Sequence, residues 1–196
     1  MIKDFHGTIV CASKYFNTDE IEKLYDLGVQ DFGENKVQDF IKKHEKLSHL
    51  KIKWHFIGHL QSNKVKDMIN KIDLLHTLDR VSVAYEIQKY AKHEVSCLVQ
   101  VNLTEEDQKS GVNPENLAQF LIEIKKYDKI KIVGLMTMGK LNDEIKTELA
   151  FKKLDELATL YNLPFRSMGM SDDYTLAIKH HATHLRIGRK FKELLD

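Results

Sequence analysis

The segment Thr8-Ile-Val-Cys-Ala-Ser-Lys14, with Asn17-Thr-Asp-Glu20 directly behind it, decides how the rest of the chain reads. Ile9, Val10, Cys11 and Ala12 carry no charge and suit a pleated, buried surface, which predicts a buried strand. Asn17 and Glu20 stand at the spacing of a capping box. Ile21, Leu24 and Leu27 then recur at helical spacing, and Gly28 closes the helix. The turn between strand and helix is Ser13-Lys14-Tyr15-Phe16. It carries no glycine, unlike the first turn of a doubly wound nucleotide-binding sheet.

The same strand–helix rhythm repeats along the chain. Further strands are predicted over 29–33, 53–58, 74–78, 96–103, 131–138, 165–170 (strand and exit together) and 184–188. Between them, one helix runs through Val37, Phe40, Ile41 and Leu47. Another starts at a Ser62 cap and carries Val65, Met68 and Ile69. A third starts at an Asp79 cap and carries Val83, Ile87 and Tyr90. Asn113-Pro114 opens the next, with proline at its favoured first position. A long amphipathic helix covers about Asp143 to Tyr161, with Leu149, Phe151, Leu154 and Leu157 as apolar positions. A short helix from Asp172 carries Leu176 and Ile178, and a last amphipathic segment runs from Phe191 to Leu195. Alternation of this kind implies parallel strands, because each crossover needs a helix. Eight such units close into a barrel. The expected fold is therefore α/β, a single (β/α)8 TIM barrel over residues 1–196, compact against the usual size of roughly 250 residues.

Composition bounds the function. The 196 residues suit one domain, and 42% hydrophobic residues supply a sizeable core. A net charge of +1 gives no broad electrostatic case for nucleic acid or an anionic membrane. No apolar run is long enough to span a bilayer, and Met1-Ile-Lys-Asp-Phe5 lacks the apolar core of a signal peptide. Cys11 and Cys97 both fall in strand-like runs, as buried thiols of a reducing, cytoplasmic compartment would.

In such a barrel the chemistry sits on the C-terminal rim. The residues predicted there are Lys14, Asn35, His55 to His59, His76 to Asp79, Asn102, Met136 to Met138, Ser167 to Ser171 and Arg186 to Arg189. A strand-end lysine that is partly desolvated gives up its proton more readily and attacks carbonyls. The seventh and eighth exits, Ser167-Met-Gly-Met-Ser171 and Arg186-Ile-Gly188, bear glycine. These two loops of a barrel commonly cradle a phosphate on backbone N–H groups. Ser167 and Ser171 add hydroxyls, and Arg186 and Arg189 add charge and fork geometry. Lysine and cradle together favour a phosphorylated carbonyl ligand. His180, His181 and His184 lack the acidic partner of a zincin pattern and read as an exposed turn, with no metal. Trp54, Phe56 and Ile57 read as core, and Lys125-Lys126 and Lys152-Lys153 as solvated helix faces.

Several segments together carry a resemblance. They are Ala12-Ser13-Lys14, Phe32-Gly33-Glu34-Asn35 with Val37-Gln38, and Trp54-His-Phe-Ile-Gly-His-Leu-Gln-Ser-Asn-Lys64. Further along stand Val101-Asn102, Lys109-Ser-Gly111, Gly134-Leu-Met136, Ser167-Met-Gly-Met-Ser-Asp-Asp173 and Arg186-Ile-Gly188. In this order the chain resembles the pyridoxal phosphate homeostasis protein family, relatives of the alanine racemase barrel. The resemblance implies a barrel that holds pyridoxal 5′-phosphate (PLP), with Lys14 carrying the Schiff base. It implies Arg186 at the pyridine nitrogen, Asn35 beside the cofactor, and Ser167, Gly169, Gly188 and Arg189 around the phosphate. It also implies a carrier or regulator that buffers PLP and delivers it to PLP-dependent apoenzymes, with no catalytic activity of its own, acting as a monomer. The chain departs from the family's usual pattern at two places. Only seven residues precede Thr8, where a helix is usual, and Arg189 stands where threonine is usual.

Two other functions compete. A PLP-dependent racemase or decarboxylase would need a second β domain and a partner's catalytic tyrosine or cysteine, whereas this sequence ends at Asp196 after the eighth unit. A Schiff-base aldolase or isomerase would use Lys14 on a sugar phosphate without any cofactor. A visible spectrum separates that reading from PLP binding.

Overall fold

The structure is a computed structural model that describes residue 2 and residues 5–104 and 110–195. Among these, eight strands close into a parallel barrel in chain order. They are β1 (Thr8–Ala12), β2 (Asp31–Glu34), β3 (Lys53–Phe56), β4 (Leu74–Leu78), β5 (Val95–Gln100), β6 (Ile130–Met136), β7 (Phe165–Ser167) and β8 (His184–Ile187). Pairing of Val10 with Arg186 and Cys11 with Ile187 closes β8 onto β1. The helices α1 (Thr18–Asp26), α2 (Val37–Lys46), α3 (Val65–Met68), α4 (Val81–Tyr90), α5 (Leu117–Ile124), α6 (Glu144–Leu160) and α7 (Tyr174–Lys179) fill the crossovers. The eighth helical segment is a 3-10 turn, Arg189–Leu194.

Apolar side chains form the layer between barrel and helices. Ile21 and Leu24 of α1, Phe40 of α2, Ile87 of α4 and Leu154 of α6 are wholly buried there beside Phe32, Leu75 and Leu135 of the strands. Trp54 and Phe56 join this core as expected. Cys11 and Cys97 are both buried and unbridged, and burial pushes both thiols well above their usual range, so they stay protonated and inert.

The capping box on α1 forms in both directions: Glu20 N–H donates to Asn17 Oδ1, and Asn17 N–H donates to Glu20. Asp143 caps α6 through Lys146 N–H. Other local expectations are corrected. Ser62 opens a 3-10 turn, and its hydroxyl donates to Ser82 instead of capping a helix. Asp79 is spent on an ion pair with Arg80, and α4 starts at Val81 without a side-chain cap. Leu27 and Leu149 are exposed, because α1 ends before Leu27 and Leu149 faces away from the barrel. Strand β7 ends at Ser167, and the exit follows from Met168.

Candidate functional site

At the C-terminal ends of the strands lies a cavity of about 560 Å³. Lys14, Asn35, Arg186, Gly188 and Arg189 all line it, together with Ser171. Strands β1, β2 and β8 and their exits thus bring five of the seven expected residues together. Ser167 and Gly169 are not among the lining residues.

Lys14 stands on a 3-10 turn, Ser13–Tyr15, two residues beyond the end of β1. The turn is fastened from behind by a buried charge cluster. The Glu34 carboxylate is fully buried and accepts from Ser13 Oγ at 2.9 Å, from Lys43 Nζ at 2.7 Å and from Asn35 N–H at 2.8 Å. Lys43 also donates to the Ser13 carbonyl at 2.7 Å. The backbone that carries Lys14 is therefore fixed, while its side chain is exposed, with Nζ 4.9 Å from the centre of the Tyr15 ring. The partial burial expected of Lys14 is absent, because the turn lifts it off the strand to the mouth of the cavity.

Arg186 is the cavity's buried cation. Its Nη1 donates to Ser167 Oγ at 2.7 Å and its Nη2 to the Thr137 carbonyl at 2.9 Å. Burial lowers its pKa to about 10, with Asp173 pulling the other way, so it remains charged at neutral pH. Ser167 is wholly buried, and its hydroxyl is shared between Arg186 and His76. Expected as a phosphate ligand, it is not among the lining residues, and Ser171, partly buried, is the serine of that loop that lines the cavity. Gly169 has φ +92°, a left-handed value that favours glycine, and a Cβ there would lie 2.6 Å from Ala177 Cβ. Its part is to let the loop turn against α7.

Gly188 faces the cavity because the Tyr15 ring leaves no room for a side chain: a Cβ would meet Tyr15 Cε2 at 2.3 Å. Arg189 lines the same wall, but its guanidinium pairs with Asp172, and both side chains are largely exposed. Ile57, read as core, lines the cavity with Gly58, Thr77, Gln100 and Met138. His184, read as part of an exposed turn, is buried inside the barrel beside His55 and His76. His180 and His181 pair with Glu148 and Asp155, and the described residues hold no cluster suited to a metal ion. Lys109 lies outside the described residues.

The cavity thus offers an amine at its mouth, a fixed cation at its floor, and a glycine-bearing wall with a serine hydroxyl and an exposed arginine. Such a set suits a ligand with a carbonyl, an acceptor in its body and an anionic end. The Glu34–Lys43–Ser13 cluster and the buried histidines escaped the sequence reading. The run Phe32-Gly33-Glu34-Asn35 marked the first without disclosing its role.

Comparison with known proteins agrees with this geometry. Residues 15–189 match the family model described as alanine racemase, N-terminal domain. The pyridoxal phosphate homeostasis protein of Aquifex aeolicus is 43% identical over 187 residues, covering 90% of this chain and 82% of its own. PipY of Synechococcus elongatus PCC7942 has been solved without PLP (TM-score 0.87, 29% identity, 94% of this chain and 92% of that one) and with PLP bound (0.86, 28%, 97% and 93%). Alanine racemase of Clostridium difficile 630 has the same fold at TM-score 0.78 and 16% identity, over 97% of this chain and 53% of the racemase.

Proposed function

The chain belongs to the pyridoxal phosphate homeostasis protein family, and from that premise we propose that it holds PLP on Lys14 and takes part in the homeostasis of that cofactor. The observation that carries the reading is the convergence of Lys14, Arg186, Ser171 and Gly188 on one cavity. These residues fit the group. Lys14 would hold PLP through its aldehyde. Gly188, Ser171 and the adjoining backbone would hold the phosphate, with Asn35 beside the cofactor. Arg186 would face the ring nitrogen. Bound PLP supplies an electron sink. A charged guanidinium donates to the ring nitrogen and leaves it unprotonated, which weakens that sink. The relatives that establish the family are named for homeostasis and not for catalysis. The racemases share the fold alone.

The finer reading is of a cytoplasmic monomer that releases PLP to apoenzymes. Buried, unbridged cysteines suit a reducing compartment. Among the described residues no helix is long and apolar enough to cross a membrane. An exposed Lys14 at the cavity mouth favours exchange over entrapment. The test is to titrate apo-protein with PLP and then assay the loaded protein against amino acids. Saturable binding with negligible racemase, decarboxylase and transaminase turnover is expected. Robust turnover by pure protein, lost in Lys14→Ala, would replace this reading with an enzyme.

A further inference from the structure

A file of polar side chains, buried except for the part-exposed Asp31 at its end, runs under the cavity floor and across the barrel. Arg186 donates to Ser167 Oγ at 2.7 Å, and Ser167 Oγ lies 2.8 Å from His76 Nδ1. His76 Nε2 lies 2.9 Å from His55 Nδ1, and His55 Nε2 lies 3.0 Å from Asp31 Oδ1. The five residues come from β8, β7, β4, β3 and β2. Barrel interiors are normally filled by branched apolar side chains. Here five polar groups replace them, at a cost that is recovered only if every one is satisfied.

All four bonds are satisfied by one direction of donation when both imidazoles are neutral. Arginine can only donate, so Ser167 Oγ accepts from Arg186 and gives its own proton to His76 Nδ1. His76 then carries its proton on Nε2 and donates to His55, which donates from Nε2 to Asp31. Burial, helped by His55, Arg186 and His184, holds His76 well below the usual imidazole range, so it is neutral. The Asp31 carboxylate ends the file. Burial alone would raise its pKa, but the hydrogen bond from His55 and the nearby charge of Lys53 favour the carboxylate, which stays ionised.

We propose that Ser167 and His76 are positioning residues of the cofactor site, which orient Arg186 toward the ring nitrogen, with His55 and Asp31 fixing the tautomer of His76. The proposal rests on the PLP reading above. Without the file, the guanidinium would lose Ser167 as an acceptor, keep the Thr137 carbonyl, and be free to rotate away from the ring.

The experiment compares PLP with its 1-deaza analogue, in which a C–H replaces the ring nitrogen, by titration of apo-protein. Wild type should prefer PLP by about tenfold or more, as a hydrogen bond from a charged donor provides. His76→Phe cuts the file and should collapse that preference to within about threefold, with affinity for the analogue little changed. His76→Asn, whose side-chain oxygen can replace Nδ1 as acceptor, should keep most of it. An equal loss on both ligands in His76→Phe, or an undiminished preference, would overturn the proposal while leaving PLP binding intact. Wild type that binds neither ligand would overturn the PLP reading itself, and this inference with it. A second measurement needs no variant: nitrogen NMR of wild-type apo-protein should show His76 and His55 as neutral Nε2–H tautomers, and an Nδ1–H tautomer of His76 would overturn the direction of the file.

Discussion

Lys43 Nζ lies 2.7 Å from the Glu34 carboxylate, and the two are unequally buried: the Glu34 side chain is 0% exposed and that of Lys43 14%. Removing one partner of a buried pair strands the other, at a cost of about 3–5 kcal/mol. Lysine can reach solvent and glutamate here cannot. Lys43→Met should therefore destabilise the protein by about 3 kcal/mol or more, and Glu34→Gln by less. The double variant should recover much of the loss. Denaturant unfolding of the three variants checks this, and equal costs for the two single changes would contradict it.

Gly188 ties the eighth strand's exit to the first. Its bare Cα lets the Tyr15 ring lie against it, and Tyr15 neighbours Lys14 on the same turn. Gly188→Ala should leave the fold intact, since Tyr15 is half-exposed and can swing outward. It should weaken PLP binding several-fold by moving the turn that carries Lys14. A titration with unchanged affinity would show that the contact is incidental.

Arg189 forms an ion pair with Asp172 at the cavity's edge, where exposed pairs are worth about 1 kcal/mol or less. Arg189→Thr should then change PLP affinity by about fivefold or less. A loss of a hundredfold would show instead that Arg189 leaves Asp172 to hold the phosphate.

Much of this was legible in sequence, and the rest was not, for identifiable reasons. The strand–helix alternation gave the barrel because period and turn chemistry are local. Lys14 and Arg186 were legible because strand ends point to the rim. Ser167 ends β7 with its side chain wholly buried, whereas Ser171 in the exit lines the cavity, a difference that the sequence pattern of two serines does not show. His55 and His76 meet across β3 and β4, and His76 reaches Ser167 on β7. Such contacts depend on strand stagger and barrel closure, which no local pattern encodes. The Glu34–Lys43 pair joins a strand end to a helix face nine residues on, and a helical lysine carries no sequence mark of reaching a buried carboxylate.

His184 gives the protein an acid-side stability slope. Burial, with His55 and Arg186 nearby, lowers its pKa from 6.5 to about 4. The unfolded chain therefore takes up a proton below about pH 6.5 that the folded protein refuses, so stability falls as pH falls, until the folded form also titrates near pH 4. That gap corresponds to about 3 kcal/mol. His76, held down by burial as well, acts in the same direction. Denaturant midpoints at about pH 7 and about pH 4.5 should differ accordingly, and His184→Met should flatten the slope. An unchanged slope in that variant would assign the effect elsewhere.

The central claim is that Lys14 is the attachment point for PLP, and reduction with borohydride tests it most directly. Loaded wild-type protein should absorb near roughly 420 nm, as a lysine Schiff base of PLP does. After reduction and digestion, mass spectrometry should find the cofactor's mass on Lys14 alone, and Lys14→Ala should lose both band and label. A label on another lysine with Lys14 unmodified, or a band that survives in Lys14→Ala, would contradict the account.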